Sequence, residues 1–116
     1  MMSNEDIKQD ILEVIDDCDF AFHTIIDDAL DMCFTECIVE GICQMKDEYQ
    51  DDPNYQTALL VCISDRDTFG IYFNEILEID KNKKVIYYKR GKYISAVHCI
   101  KLDTTEIEKK LRQLGE

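Results

Sequence analysis

The stretch CFTECIVEGIC, residues 33–43, decides how much of the N-terminal half is helical, because it fits two patterns. As a helix, it continues a row of small residues at every fourth position, and such a row lets a neighbouring helix pack closely. These small residues are Ala29, Cys33, Cys37 and Gly41. As a strand over about residues 36–46, it would turn alternate side chains to opposite faces. We predict the helix and keep the strand as the alternative.

The predicted helix begins near Asp19, after an acidic break around Cys18. Its apolar side consists of Phe22, Ile26, Ala29, Leu30 and Cys33, opposite a polar side. Beyond Thr35 the phase changes, and the formerly polar side carries Ile38, Val39, Ile42 and Met45. Either the helix bends near Thr35 or another body covers this second apolar side. A second copy in a homodimer is one such body.

A first helix is expected from about Asn4 to Asp17. Ser3 and Asp6 have the spacing of an N-terminal capping box. Apolar residues then recur at helical spacing, with acids and amides on the other face. This apolar stripe consists of Ile7, Ile11, Val14, Ile15 and Cys18.

The periodicity changes from helical to extended after the polar segment 46–56. The predicted strands are TALLVCIS (57–64), IYFNEILEID (71–80) with a bulge near Asn74, KVIYY (84–88) and KYISAVHCIKL (92–102). Turns are expected at 65–70 and 81–83, and a tight hairpin at Arg90 and Gly91. Asp103 and Glu106 then cap a last helix with an apolar stripe of Ile107, Leu111 and Leu114.

These elements predict a single α+β domain over residues 1–116, with N-terminal helices packed on an antiparallel meander of about four strands and a C-terminal helix. A chain of this length can bury a core without covalent staples. The four glycines do not cluster into a phosphate-binding loop. No apolar run is long enough to span a membrane, and the polar, acidic N-terminus does not resemble a secretory signal. We therefore expect a cytoplasmic protein.

Cysteines and histidines are the residues that could carry metal or nucleophilic chemistry. The six cysteines, Cys18, Cys33, Cys37, Cys43, Cys62 and Cys99, are expected to be free and mostly buried thiols, since a cytoplasmic location disfavours disulfides. Those of the opening stretch lack the short C-x2-C pairs of zinc sites. His98 shares a strand face with apolar residues and is expected in the core, whereas His23 is expected at the surface. We therefore expect no catalytic residue, metal site or cofactor, and a protein that is not an enzyme.

Net charge is the most informative global property of the chain. The formal charge is −12, and it is unevenly distributed. Residues 1–56 contain sixteen Asp or Glu against two Lys, a net −14, while residues 57–116 contain nine acids against eleven bases, a net +2. An acidic excess of this size repels nucleic acid and anionic membranes, and it suits a basic protein. The alternative is that the acidity only keeps the protein in solution.

The acidic residues that crowd two short segments are the predicted partner-binding site. Their carboxylates would dock on Lys and Arg, and two tyrosines would serve as aromatic anchors. The residues are Asp27, Asp28, Asp31, Asp47, Glu48, Tyr49, Asp51, Asp52 and Tyr55. The second segment lacks the glycine and ligand spacing of a calcium loop. This pattern favours an inhibitor of a basic protein, such as an immunity protein that neutralises a nuclease toxin or a phage-type mimic of nucleic-acid charge.

Two other functions remain open from the sequence. Basic residues and tyrosines alternate in EILEIDKNKKVIYYKRGKYIS, residues 75–95, which could stack single-stranded nucleic acid, although edge lysines also discourage strand aggregation. This segment resembles the strands of LytTR-type DNA-binding domains without sharing a specific motif, and no residue role follows from the resemblance. The other function is a ligand-binding or catalytic domain with a pocket between sheet and helices, using His98, Cys62 and the tyrosines.

Overall fold

A computed structural model of the chain describes residues 3–16, 18, 21–26, 32–44, 57–62, 68–91, 93–99 and 104–115. The elements are α1 (Asn4–Ile15), β1 (Ala21–Ile26), β2 (Met32–Gln44), β3 (Thr57–Cys62), β4 (Thr68–Tyr72), a 3-10 turn (Phe73–Glu75), β5 (Ile76–Asp80), β6 (Val85–Arg90), β7 (Tyr93–His98) and α2 (Thr104–Gly115). The α+β class and the C-terminal helix are therefore confirmed, but only one N-terminal helix is found in the described part of the chain.

The first helix has the predicted position and the predicted N-cap. The Ser3 hydroxyl accepts a hydrogen bond from the backbone N–H of Asp6 at 3.2 Å. This bond satisfies one of the donors that a helix start leaves unpaired. Ile7, Ile11 and Val14 are buried, as their helical spacing requires.

The second predicted helix is wrong, because residues 21–26 and 32–44 form strands β1 and β2. The alternation expected of a strand is visible in β2, where Cys37 is buried, Ile38 is 48% exposed and Glu40 is exposed. The register with β3 shifts between Val39 and Gly41, and Gly41 has a φ of 122°. Gly41 thus serves a β-bulge, which needs a residue tolerant of positive φ, rather than a close contact between helices.

All strand pairs in the described sheet are antiparallel, and the order is β4-β3-β2-β1-β7-β6-β5. The long strand β2 pairs with β1 through its first half and with β3 through its second half. The predicted strand 71–80 is divided by the 3-10 turn, so Ile71 and Tyr72 belong to β4. The described sheet therefore has seven strands rather than about four.

The sheet curls, because its two edge strands are close neighbours in the chain. β4 and β5 lie at opposite edges, yet only Phe73–Glu75 joins them. Side chains from both halves of the sheet consequently share one cluster with α1. Its buried members are Ile7, Ile11, Val14, Ala21, Cys37, Leu59, Ile71, Phe73, Ile86, Tyr88 and Val97. We call the face of the sheet that lines this cluster the inner face.

The opposite face, here the outer face, packs against α2. Val85 and Tyr87 of β6 belong to a second buried cluster with Ile107 and Leu111 of α2. Their neighbours in β6 point inward, as the period of two along a strand requires. The predicted apolar stripe of the last helix is confirmed, with Leu114 packed at its end.

An arginine–glutamate pair ties β6 to the connection between the two sheet edges. Arg90 donates from Nε to Glu75 Oε2 at 2.9 Å and from Nη2 to Glu75 Oε1 at 2.7 Å, and it also donates to the carbonyl of Gly70 in β4. Glu75 Oε1 accepts a further bond from the backbone N–H of Tyr72. A bidentate pair of this kind fixes geometry as well as charge. The pKa of Arg90 is raised, chiefly by its hydrogen bonds to Glu75.

Two of the six cysteines differ from the prediction of free thiols. Cys18 and Cys99 are joined in a disulfide with a Cα–Cα distance of 5.7 Å, which lies in the range that a disulfide spans without backbone movement. Cys37 is buried and takes part in no disulfide, as predicted. The side chains of the other three cysteines lie outside the described part of the structure.

The arginine–glutamate pair gives a stability prediction. Arg90→Lys keeps the positive charge but loses the planar guanidinium that binds both oxygens of Glu75. We expect it to lower the free energy of unfolding by about 1–2 kcal/mol. This value takes account of the partial exposure of Arg90, since solvent weakens the pair. Arg112→Lys is the matched control, because Arg112 pairs with Glu108 on the exposed surface of α2 and its change should cost less than about 0.5 kcal/mol. Urea denaturation of both variants makes the measurement. Equal midpoints would show that the pair does not hold the sheet edges.

Candidate functional site

The nine residues predicted to bind a partner lie outside the described part of the chain. Asp27, Asp28 and Asp31 fall between β1 and β2, and the other six, Asp47, Glu48, Tyr49, Asp51, Asp52 and Tyr55, fall between β2 and β3. The two groups are therefore attached to opposite ends of β2. A strand of thirteen residues spans up to about 40 Å.

The described acids of the N-terminal half lie mainly on the outward side of α1. Its helical period buries the apolar stripe and leaves Glu5, Asp6, Glu13 and Asp16 exposed. Glu5 and Asp6 also lie in the first turn, where negative charge stabilises the helix dipole. Glu5, Asp6 and Asp16 form no ion pair with any cation of the described residues, and neither does the exposed Glu40 of β2.

Most of the described basic residues in the C-terminal half have acidic partners within the protein. Lys81 lies 3.3 Å from Asp10 and 3.6 Å from Glu13 of α1. The remaining pairs are Lys83 with Glu106, Arg90 with Glu75, Lys110 with Glu78 and Arg112 with Glu108. The pKa of Lys81 is raised, first by its hydrogen bond to Asp10. Of the basic turns proposed as a nucleic-acid surface, the one at residues 81–84 thus faces acids of α1 and α2, and Arg90 of the other pairs with Glu75.

A polar group on the inner face joins β1 to β6 across β7. His23 was predicted at the surface, but it is buried, and its Nε2 lies 2.7 Å from the Tyr88 hydroxyl. The Ser95 hydroxyl, from β7, bonds to the same Tyr88 oxygen. The prediction failed because residue 23 was assigned to a helix face, whereas in β1 it shares the inner face with its register partner Val97.

Burial sets the protonation of this group. Desolvation, with smaller contributions from His98 and Arg90, lowers the pKa of His23 to about 4. Desolvation also raises the pKa of Tyr88 to about 12. Both side chains are therefore neutral between these values, and the tautomer of His23 sets which of the two donates the hydrogen bond. The group links strands β1, β7 and β6. Neither His23 nor Tyr88 changes its protonation near neutral pH, whereas a general acid–base catalyst would have to.

His98 lies on the outer face of the sheet, as Tyr87 does, whereas Tyr88 lies on the inner face. His98 is fully buried as predicted, its Nε2 lies 3.3 Å from the Thr24 hydroxyl, and its ring stacks on Phe22 at 5.5 Å. Tyr88, in contrast, faces α1 from the inner face. The strand that carries Cys62 is separated from β7 by β2 and β1.

The residues proposed as a second apolar side, and hence as a dimer contact, divide between the faces of β2. Ile38 is exposed, whereas Val39 and Ile42 pack against the inner cluster. Met45 lies outside the described residues. The four residues therefore do not form one contact surface on β2.

Within the described ranges, no three His, Cys, Asp or Glu side chains gather into a group that could hold a metal ion. No helix in this part of the chain is long and apolar enough to cross a membrane. No family model matches the chain, and the comparisons found no matching curated protein or solved structure.

The lowered pKa of His23 predicts a loss of stability in mild acid. Between pH 6.5 and pH 4 the unfolded chain binds a proton at His23 that the folded chain does not, so the free energy of unfolding falls by roughly 3 kcal/mol as the pH drops through this range. In His23→Gln this contribution is absent, and its difference from the wild type should shrink towards pH 4. Urea denaturation at several pH values makes the comparison.

Tyr88→Phe is the control for this measurement. It removes the hydrogen bond but retains the desolvation that lowers the pKa of His23, so its pH dependence should follow that of the wild type. Parallel curves for the wild type and His23→Gln would contradict the assignment.

Proposed function

We propose that this protein is a non-enzymatic, acidic binding protein that docks on a basic protein and inhibits it. An immunity protein that neutralises a toxin such as a nuclease, or a phage-type inhibitor that imitates the charge of nucleic acid, would have these properties. The observation that carries the proposal is the net charge of −14 in residues 1–56.

The ion pairs support this proposal because they neutralise positive charge of the C-terminal half. Five cations of the C-terminal half are paired with acids, and only two of those acids, Asp10 and Glu13, belong to the N-terminal half. The acidic excess of residues 1–56 is therefore left almost uncompensated by the described part of the protein. Dense like charge destabilises a folded chain through self-repulsion, and a cationic partner would relieve that repulsion.

Electrostatics also explains why a nuclease is the favoured target. A nuclease has a cationic cleft that binds phosphates, and an acidic protein that covers the cleft competes directly with the substrate. Complementary charge steers the two proteins together and raises the association rate. Screening by salt weakens such steering, so binding should depend strongly on ionic strength.

The protein should therefore retain a basic protein from its host at low salt and release it at high salt. For the partner identified in this way, neutralising the segment between β1 and β2 in Asp27→Asn/Asp28→Asn/Asp31→Asn should weaken binding about tenfold or more, equivalent to roughly 1.4 kcal/mol. Calorimetry at two salt concentrations with the purified partner makes the measurement. Inhibition of the partner's activity should weaken in parallel.

A second triple variant separates local contact from net charge. Glu78→Gln/Glu106→Gln/Glu108→Gln changes the net charge equally, but its positions lie on β5 and α2, in exposed pairs whose loss costs little stability. It should bind within about twofold of the wild type. Equal losses in both triple variants, or binding that is insensitive to salt, would contradict docking through the predicted residues.

The segment between β2 and β3 can be tested separately, because it is attached to the other end of β2. Asp47→Asn/Glu48→Gln/Asp51→Asn/Asp52→Asn should weaken binding as strongly as the first variant only if the partner extends along the strand. A loss confined to one variant would identify the end of β2 that docks.

A further inference from the structure

The Cys18–Cys99 bond lies where the chain passes from α1 into the sheet. Cys18 follows the last residue of α1 by three positions, and its backbone N–H donates to the carbonyl of Ile15. Cys99 directly follows β7, and its N–H donates to the carbonyl of Lys84 beside β6. The bond therefore connects the end of α1 to the rim of the β6–β7 hairpin, across 81 residues of sequence.

The same rim holds α1 by weaker contacts. Lys84 Nζ lies 3.4 Å from the carbonyl of Glu13, and Lys81 pairs with Asp10 and Glu13. These groups are at least partly exposed, and exposed ion pairs of this kind contribute little. Apart from the burial of its apolar stripe, the Cys18–Cys99 bond is thus the strongest described link between the end of α1 and the sheet.

Both sulfur-bearing residues are partly exposed, unlike Cys37, which is 3% exposed within the inner cluster. A thiolate from solution can reach a partly exposed disulfide, whereas a buried sulfur is protected from such attack. Cys18 and Cys99 also pack on the border of the inner cluster, next to the residues that receive α1.

We propose that Cys18 and Cys99 form a reversible dithiol–disulfide site that exchanges with low-molecular-weight thiols and, when oxidised, fixes α1 on the inner face of the sheet. In reduction, an external thiolate attacks one sulfur of the bond, forms a mixed disulfide with it and releases the other cysteine as a thiolate that takes up a proton. A second external thiolate then displaces the remaining cysteine. Two external thiols are oxidised to one external disulfide, and the protein gains two electrons and two protons.

Reduction should loosen α1 more than the strands. The bond restricts the helix directly, because Cys18 lies only three residues beyond the end of α1. The strands keep their own hydrogen-bonded ladders on both sides of the bond. Local opening of this kind exposes amides to exchange without global unfolding. The effect is independent of the partner proposed above, since it concerns the free protein.

The test is a titration of the native protein with mixtures of reduced and oxidised glutathione. After equilibration, thiols are alkylated and the state of Cys18 and Cys99 is read by mass spectrometry. We expect one reversible two-electron transition. A pair that stays bonded in every mixture, or is never bonded in any, would overturn the exchange.

Hydrogen exchange on the same samples tests the role of the bond. Amides of α1 should lose protection by about tenfold or more on reduction, while those of β6 and β7 change little. Cys18→Ser and Cys99→Ser should each resemble the reduced wild type in every mixture, and Cys37→Ala should still respond to it. Unchanged protection of α1 in fully reduced wild-type protein would overturn the proposal that the bond fixes the helix.

Discussion

The pairing of β1 with β7 is the constraint on which the rest of the structure depends. It places Phe22 opposite His98 and Ile26 opposite Ile94, and so joins the N-terminal strands to the C-terminal meander in one sheet. The hydrogen bond between Thr24 and His98 crosses this seam, and the one between His23 and Tyr88 spans β7. The disulfide lies at the end of the same seam. Without the pairing, the inner face that receives α1 would not exist.

Curvature follows from this seam and from the short connection between the edge strands. Because only three residues join β4 to β5, the two edges must approach one another, and Arg90 bridges the approach by binding Glu75 and the carbonyl of Gly70. The inner face can then surround a single amphipathic helix. A helix with one apolar stripe is sufficient to fill it, and the acids on the other side of α1 remain in solvent.

Positive and negative charge are concentrated in different parts of the fold. The basic turn at residues 81–84 lies against acids of α1 and α2, so its positive charge is partly neutralised within the protein. The N-terminal acids have few such partners among the described residues, and the largest acidic segments are attached to the two ends of β2. A net charge of this size attracts oppositely charged groups over a long range.

Sequence by itself determined the parts of the protein whose periodicity is unambiguous and local. The capped helix at Asn4–Ile15, the strands β3, β6 and β7 and the apolar stripe of the last helix follow from spacing, whereas spacing did not predict the 3-10 turn that separates β4 from β5. The burial of His98 was also predictable, because the residues that share its face of β7 are apolar. The net charge, which carries the proposed function, requires no structure.

Only the tertiary structure decided the conformation of residues 21–44, the burial of His23 and the pairing of Cys18 with Cys99. Apolar residues there fit a period of 3.6 as well as a period of two, so local spacing could not choose between helix and strand. Backbone hydrogen bonds to β3 and β7, which are distant in sequence, decided for the strand. Because successive strand residues point to opposite faces, that choice also turned His23 towards Tyr88 and into the core.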